Sequence, residues 1–244
     1  MIKSPRECKS IVINPKDLKF RVLMIHKDKK DLKGTNTLKY IQWGEERGLH
    51  KRPTCKSRKR WYELGEFKGD LLCMMSLNDR HIFWINSPQS LIDARFYGIY
   101  LKRKESIKSV GALLNCSFAP IFVELIGRVN LGQGALDVKV YEYEKMFVIN
   151  PFKLTEFQIE KLEKALDKLS KRLIGSVFEE LGADTPEEVS LEKVKPNRRE
   201  LDCIVMGEIL GLSEEEQLEV YRAVIDLVRS RLEKARSVKK EVRR

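Results

Sequence analysis

Between residues 10 and 150, short apolar runs are separated by turn-forming residues, a pattern typical of β-strands. Each run is rich in β-branched or aromatic residues and is bounded by Asn, Asp, Gly, Pro or Ser. The predicted strands are residues 20–25, 71–75, 81–85, 96–100, 138–141 and 146–149. Helices are expected over residues 37–47 and 106–125, the second broken at Pro120 because proline cannot donate a backbone hydrogen bond.

From Thr155 onward the spacing of apolar residues becomes helical, with steps of three or four positions. Thr155 and Gln158 fit a capping box that begins the first of these helices, and Ser213 and Glu216 fit a second one. We therefore predict an α+β fold. A mixed α/β domain would occupy residues 1–151, and a helical region would occupy residues 152–244.

The composition of the 244 residues, 42% of them hydrophobic, is sufficient for a packed core and argues against global disorder. No run of about 18 apolar residues occurs, and the first residues lack the apolar stretch of a secretory signal. Five scattered cysteines without a C-x-x-C pair indicate neither a disulfide framework nor a clustered zinc site. These features predict a cytoplasmic protein without a membrane partner.

The positive charge of the chain is concentrated near its N-terminus. Lys and Arg exceed Asp and Glu by 11 over the whole sequence. Residues 1–70 contain 19 basic residues against 9 acidic ones, so that almost all of the excess lies there. A basic region of this density favours a polyanionic partner, nucleic acid first of all, although an ordinary solvated surface produces the same composition.

Familiar catalytic signatures are absent from the sequence, which contains no phosphate-binding loop, no H-E-x-x-H and no G-x-S-x-G. His26, His50 and His81 are far apart and are more typical of structural or exposed histidines than of metal ligands, so that no metal site is predicted. Glu63 and Glu66 leave open a magnesium-dependent nuclease as an alternative function. A basic protein–protein scaffold and a binder of structured RNA are further alternatives.

The most informative segment is residues 51–62, in which six of twelve residues are cationic and the last two are aromatic. Its proline and serine positions favour a loop or extended path over a helix. Such cations neutralise DNA phosphates and release counterions. The residues expected to contact phosphates are Arg52, Lys56, Arg58, Lys59 and Arg60. Trp61 and Tyr62 would either stack on a base or anchor the loop in the core.

A second polar cluster, residues 127–134, connects a predicted helix to a predicted strand. Its Arg128, Asn130 and Gln133 are of the types that form paired hydrogen bonds with base edges, and its glycines allow close backbone approach. An ordinary helix–strand loop is an equally good interpretation. Arg80, in a predicted hairpin turn, and Arg95, at the start of a predicted strand, complete the candidate DNA-binding residues.

Several stretches together resemble one family. They are Thr37 to Glu45, Arg52 to Cys55, Trp61 to Gly65, Arg95 to Tyr100, Leu113 to Ser117, Gly127 to Leu136, Arg198 to Asp202 and Val220 to Val224. The chain resembles, over about residues 30–236, the C-terminal region of N6-adenine DNA methyltransferases of restriction–modification systems, the group with a TaqI-like specificity domain. The resemblance implies sequence-specific recognition of double-stranded DNA as the target-recognition module of an adenine-specific enzyme.

The catalytic half of that family is not found in this sequence. The glycine-rich cofactor loop and the Asn/Asp-Pro-Pro-Tyr/Phe tetrapeptide do not occur, since Asn14 and Asn150 are each followed by a single proline. We therefore expect no catalytic residues and no cofactor in this chain. S-adenosylmethionine is expected on a catalytic domain or subunit, which the resemblance implies as a partner and which would lie on a missing N-terminal region or a separate polypeptide.

Overall fold

The chain folds into two compact units, and the computed structural model describes residues 1–130 and 134–241. The small unit is Phe20–Phe67, and the large unit joins Met1–Lys19 to the chain from Lys68 onward. Small antiparallel sheets and a majority of helices make the fold α+β, as predicted. The domain boundary expected at residue 151 stays a prediction; a single hydrophobic core of the large unit contains residues from both sides of it, such as Leu72 and Leu166.

The helices and strands are numbered separately in chain order. The helices are α1 Asn36–Glu46, α2 Pro53–Lys56, α3 Ile107–Leu114, α4 Ala119–Ile126, α5 Val140–Tyr143, α6 Glu156–Leu169, α7 Val177–Leu181, α8 Pro196–Asp202 and α9 Glu214–Glu241. A π-helical segment, Cys203–Ile209, continues α8. The strands are β1 Leu71–Met74, β2 Ser76–Leu77, β3 Trp84–Ile85, β4 Phe96–Ile99, β5 Arg128–Asn130 and β6 Ala135–Asp137.

Two three-stranded antiparallel sheets form the β-structure of the large unit. The first has the strand order β3-β1-β4, with Leu72 opposite Gly98. Gly98 has to be a glycine because a Cβ atom there would overlap the backbone carbonyl of Lys68. The second has the order β2-β6-β5, and its β5–β6 hairpin places Arg128 opposite Asp137. Its strand β5 contains Arg128 and Asn130 of the predicted second polar cluster.

The helices cover the sheets with apolar faces that follow from their spacing. α6 buries Leu162, Ala165, Leu166 and Leu169, and it packs against α3 and α8. α9 buries Tyr221, Val224 and Val228 against α4 and α7. Both capping boxes predicted for this region are formed. The Thr155 and Ser213 hydroxyls accept from the backbone N–H of Gln158 and Glu216, and the side chains of Gln158 and Glu216 accept from the backbone N–H of Thr155 and Ser213.

The break in the predicted helix 106–125 lies earlier than Pro120. α3 ends at Leu114 and α4 starts at Ala119, so that Pro120 stands in the first turn of α4, where a missing N–H donor is harmless. Among the described residues, no single helix is long and apolar enough to cross a membrane; α3 and α4 meet those criteria only together, and they are bent by 68° relative to each other.

Three predicted strands are wrong. Residues 20–25 and 146–149 are irregular, and residues 140–143 form the short helix α5. α5 forms because the Glu142 carboxylate accepts the backbone N–H of Lys139 at 2.7 Å, and the Tyr143 hydroxyl donates to the carbonyl of Met74. Phe147 and Val148, the apolar residues that suggested a strand, are exposed.

Charged side chains buried between α3, α4, α7, α8 and α9 are held by specific hydrogen bonds. The Asp202 carboxylate accepts from the backbone N–H and the hydroxyl of Ser117, both at 2.7 Å, and from the Tyr221 hydroxyl at 3.0 Å. Burial nevertheless raises the pKa of Asp202, because the ionised form has lost its hydration. Glu180 accepts from Arg172, Lys195 and Arg198.

Glu180→Ala is expected to lower the free energy of unfolding by about 3–5 kcal/mol at neutral pH, because it removes the carboxylate that pairs with the buried Arg198. Burial alone would raise the pKa of Glu180. The hydrogen bond from Arg172 and the charge of Arg198 outweigh it, and the pKa falls from 4.5 to about 2. A depressed carboxyl pKa stabilises the fold above pH 4.5 and stops doing so as pH falls through 2. Urea unfolding from pH 7 downward should therefore show the difference between variant and wild type shrinking with acidity.

The matched control is Glu200→Ala, which removes a carboxylate that is 40% exposed and paired with Lys168. Its cost should stay below about 1 kcal/mol and should change little with pH. An equal loss of unfolding free energy in the two variants would contradict the stabilising role of the hydrogen bonds that Glu180 accepts from Arg172, Lys195 and Arg198.

Candidate nucleic-acid interface

The small unit is built around one close contact between a helix and a tryptophan. Thr35 caps α1, whose inner face buries Ile41 and Gly44. The ring of Trp61 lies against the backbone at Gly44, where a Cβ atom would come within 2.5 Å of the indole. Leu32 and Ile25 complete this small core. Gly44 is therefore required for the packing of Trp61, and this contact anchors the end of the basic segment 51–62.

Both aromatic residues at the end of that segment use their polar atoms inside the small unit. The Trp61 indole N–H donates to Glu45 Oε1 at 2.9 Å, and the Tyr62 hydroxyl donates to the carbonyl of Lys27 at 2.9 Å. Their rings meet edge to face, with centroids 6.0 Å apart. The structure thus shows anchoring contacts for Trp61 and Tyr62, and their contact with DNA stays a prediction.

The cations before Trp61 lie on the surface. Arg52, Lys56, Arg58 and Lys59 are exposed. Within residues 1–130 and 134–241, none of Arg52, Lys56 and Lys59 forms an ion pair, and Arg58 donates only to the backbone carbonyl of Glu63, at 3.1 Å. The expectation of a wholly irregular segment is wrong for α2, where Pro53 stands at the first helical position and starts a single turn.

Arg60 differs from the other four predicted phosphate-binding residues. Its side chain is only 22% exposed, and it donates to both carboxylate oxygens of Glu63 at 2.8 Å and to Asp28 at 3.0 Å. The hydrogen bonds from Arg60 and then from His26 lower the pKa of Glu63 to about 2. The charge of Arg60 is therefore compensated within the protein.

Two of the three predicted base-reading residues, Arg128 and Asn130, lie on β5 of the large unit. Arg128 is exposed; its Nε donates to Glu142 at 2.6 Å, and its guanidinium also contacts the Tyr141 hydroxyl. Asn130 ends β5 opposite Ala135. Gln133 lies outside the described residues. Arg128 therefore presents an exposed guanidinium whose orientation is set by a carboxylate.

One buried arginine connects the β5–β6 hairpin to the turn at residues 78–80. Arg231 of α9 donates to the backbone carbonyls of Gly134 and Asn78 and forms two hydrogen bonds of 2.8 Å with Glu124. His81 Nε2 lies 2.8 Å from the same carboxylate. Burial would raise the pKa of Glu124, but the hydrogen bonds from His81 and Arg231 lower it. This Arg231 clamp holds the turn and the hairpin together.

The residues predicted from the sequence do not include this clamp, although a signal for it is present. Arg231 continues the buried stripe of α9 that runs through Tyr221, Val224 and Val228, and Ala235 follows it at the same spacing. A cation within an apolar stripe indicates a buried partner of opposite charge. Glu124 stands similarly within the apolar helix α4.

The two remaining predicted residues, Arg80 and Arg95, differ in environment. Arg80 is half-buried, and its Nε and one terminal nitrogen have no hydrogen-bond partner among the described residues. Arg95 is exposed, and its Nε lies 3.5 Å from a carboxylate oxygen of Asp93, so that it forms a local ion pair. The Arg95 carbonyl accepts the backbone N–H of Met75, and the Met75 carbonyl accepts that of Val138 directly after β6, so that a backbone path joins Arg95 to the hairpin that carries Arg128.

The carboxylates of the nuclease alternative are engaged in ion pairs. Glu63 pairs with Arg60 and with His26, and His26 lies 3.7 Å from Glu66. In the part of the chain that the structure describes, no three His, Cys, Asp or Glu side chains are grouped so that they could hold a metal ion. The geometry therefore gives the nuclease alternative no candidate metal site.

The large unit also contains an open groove of about 950 Å³ between β4, α3, α5 and residues 146–152. Its walls are mostly apolar and include Phe83, Tyr97 and Tyr143. Lys102, Arg103 and Glu144 are its charged residues among those described. Such walls do not suit a phosphate backbone, which separates this groove chemically from the basic segment of the small unit.

Comparison with known families identifies the class of protein. The model of a family described as the C-terminal domain of the type II methyltransferase M.Eco57I matches residues 7–183. The chain therefore belongs to this family, and the resemblance to the C-terminal region of a restriction–modification methyltransferase is confirmed. Comparisons with the curated proteins and with the solved structures give no match. Membership implies, in general terms, a DNA substrate and a catalytic partner.

The ion pair of Arg60 and Glu63 can be tested by titration. The carboxyl carbon of Glu63, followed by NMR, should titrate near pH 2 rather than near 4.5. Arg60→Gln should move this midpoint upward because it removes the strongest hydrogen-bond donor to the carboxylate. Lys59→Gln, at an exposed neighbouring position, serves as the control and should leave it in place. A wild-type midpoint near 4.5 would show that Arg60 is free.

Proposed function

We propose that this chain is the target-recognition module of an N6-adenine-specific DNA methyltransferase and binds double-stranded DNA in a sequence-specific manner. Membership in the type II methyltransferase family provides the DNA substrate in general terms. The observation that carries the proposal further is the row of exposed, uncompensated cations in the small unit. Adenine as the modified base, and a TaqI-like specificity domain, follow from the sequence resemblance.

The charge of the small unit supports binding to a polyanion. Residues 20–67 contain 13 Lys and Arg against 6 Asp and Glu, so that this unit holds most of the excess positive charge of the protein. Surface cations of the large unit are commonly paired, as in Lys161 with Glu208 and Lys168 with Glu200. Unpaired cations attract phosphates at a distance and release counterions on contact.

The proposed roles divide between affinity and sequence preference. Arg52, Lys56, Arg58 and Lys59 contact phosphates and set the register of the protein on the duplex. Arg128, Asn130 and Gln133 read base edges, since arginine suits guanine and an amide side chain suits adenine. Arg60 keeps the basic segment in its conformation through Glu63 and Asp28.

Catalysis in this proposal belongs to a methyltransferase catalytic domain or subunit that binds S-adenosylmethionine. That partner flips an adenine out of the duplex and methylates its exocyclic nitrogen. The present chain positions the catalytic partner by binding the DNA sequence around the target adenine.

Replacing Arg52, Lys56 and Lys59 together with alanine should weaken binding to every duplex roughly tenfold or more near physiological salt. The slope of log affinity against log salt should become shallower by about 2 to 3, since each lost phosphate contact contributes about 0.9. Fluorescence anisotropy over a range of salt concentrations measures both quantities.

The control for this variant removes equal charge from the large unit. Lys161, Lys164 and Lys168 are each paired with a surface carboxylate, and their joint replacement by alanine should leave the salt slope nearly unchanged. If both triple variants weakened binding equally, net charge rather than the basic segment would be responsible.

Gln133→Ala should change the preferred bases at one or two positions of the site and leave binding to unrelated sequences unchanged. A good paired contact discriminates against the wrong base by about 1–3 kcal/mol. Selection from a random oligonucleotide pool reveals the base preference. The control is Lys59→Ala, which should lower the affinity for DNA without altering the base preference. An unaltered preference in Gln133→Ala would refute base reading by this residue.

The modified base is tested by introducing the genomic segment that encodes this chain, with its neighbouring coding sequence, into a host without adenine methylation. Sequencing that detects modified bases should show N6-methyladenine at one recognition sequence. A methylated cytosine at that sequence would contradict adenine specificity and leave DNA recognition intact.

A further inference from the structure

The outer face of α1 carries a stack of three planar groups in water. The rings of Tyr40 and Trp43 lie nearly parallel, with 13° between their planes and 5.4 Å between their centroids. The guanidinium carbon of Arg47 lies 4.4 Å from the centroid of Trp43. Trp43 is therefore enclosed between a tyrosine and an arginine, and the outer side of Tyr40 is at the end of the stack.

This arrangement follows from helical spacing. Tyr40, Trp43 and Arg47 are three and four residues apart, and residues at these separations share one face of a helix. The buried residues of α1, Ile41 and Gly44, lie on the neighbouring face of the helix. The stack is thus held by the same helix that packs against Trp61.

These aromatic rings remain exposed although the small unit has few apolar residues for a core. Tyr40 is 59% exposed and Trp43 is 41% exposed. Trp61 and Tyr62 of the same unit are half-buried and hydrogen-bonded. Large aromatic surfaces left in water favour a binding partner. A stacked, rigid pair loses little side-chain entropy when a further planar group joins it.

The surrounding charge selects the kind of planar group. Glu45 and Glu46 of α1 balance the formal charge of Lys39 and of Arg47 at the C-cap, so the positive excess comes from the small unit as a whole, which has 13 basic residues against 6 acidic ones. A ligand that combines planar rings with negative charge is a nucleic acid, in which bases stack on aromatic side chains and phosphates meet the cations. Bases within a paired duplex are already stacked on one another, so the ligand is a base outside the helix.

We propose that Tyr40, at the end of the Tyr40–Trp43–Arg47 stack, binds one extrahelical base of the DNA that the basic segment holds by its phosphates. The inference rests on the proposed function, because flipping of the target base leaves its partner on the opposite strand unpaired, and an unpaired base leaves the stack at a lower cost than a paired one. The residues involved belong to the small unit and are separate from the proposed base-reading residues of the β5–β6 hairpin.

The experiment compares two labelled duplexes with identical flanks, one fully paired and one with a single bulged base. The wild-type chain should bind the bulged duplex about five- to hundredfold more tightly, the range for one base stacked on an aromatic ring. Tyr40→Leu should abolish this preference and keep the affinity for the paired duplex. Tyr40→Phe retains the ring and should retain the preference.

A direct readout of stacking is 2-aminopurine as the bulged base. Its fluorescence should be quenched on binding to the wild-type chain and to Tyr40→Phe, and it should stay bright with Tyr40→Leu. Because Tyr40 is exposed, its replacement leaves the core of the small unit in place, and the unchanged affinity for the paired duplex verifies this.

The outcomes separate the two proposals. If the Arg52, Lys56 and Lys59 triple variant loses affinity for both duplexes while Tyr40→Leu keeps the preference for the bulge, base stacking is wrong and DNA recognition stands. Equal wild-type affinity for the two duplexes would likewise contradict base stacking and leave DNA recognition intact. If the wild-type chain binds neither duplex, both proposals fail.

Discussion

The need to compensate buried charge organises the large unit. Arg231, Glu124, Glu180 and Asp202 lie between the helices, where each ion loses hydration that only close partners replace. Their hydrogen bonds therefore determine which helices meet: α9 reaches α4 through Arg231, and α8 reaches the connection after α3 through Asp202. Apolar packing alone would allow these helices to slide, because hydrophobic contact is not directional. The buried ion pairs and hydrogen bonds therefore fix the position of each helix along its neighbour.

The small unit treats charge in the opposite way. It pairs a minority of its cations, such as Arg60, and uses that pair to shape the segment that displays the others. Unpaired surface cations repel one another, and this repulsion destabilises the folded small unit. The packing of Trp61 against Gly44 has to offset that repulsion. The same excess charge that attracts polyanions in general therefore works against the stability of this small unit.

Much of the fold was predictable, and the failures have physical causes. Helices α1, α6 and α9 follow from spacing and capping residues, and β1 and β4 follow from bounded apolar runs. Residues 20–25 look like a strand but have no partner strand among the described residues, and α5 forms because of one carboxylate cap. At the candidate site, exposure of the cations was predictable from composition. The pairing of Arg60 with Asp28 and the Arg231 clamp involve partners distant in sequence, which local patterns do not contain.

The Arg231 clamp holds the hairpin and the neighbouring turn by backbone carbonyl groups, those of Gly134 and Asn78. Every amino acid offers the same carbonyl, so the clamp is indifferent to which side chains the adjoining positions carry. Mutation can exchange those side chains one after another while these two backbone contacts stay in place. Such a scaffold separates evolvability from folding: the side chains beside the clamp can change without any change in the residues that keep the domain intact.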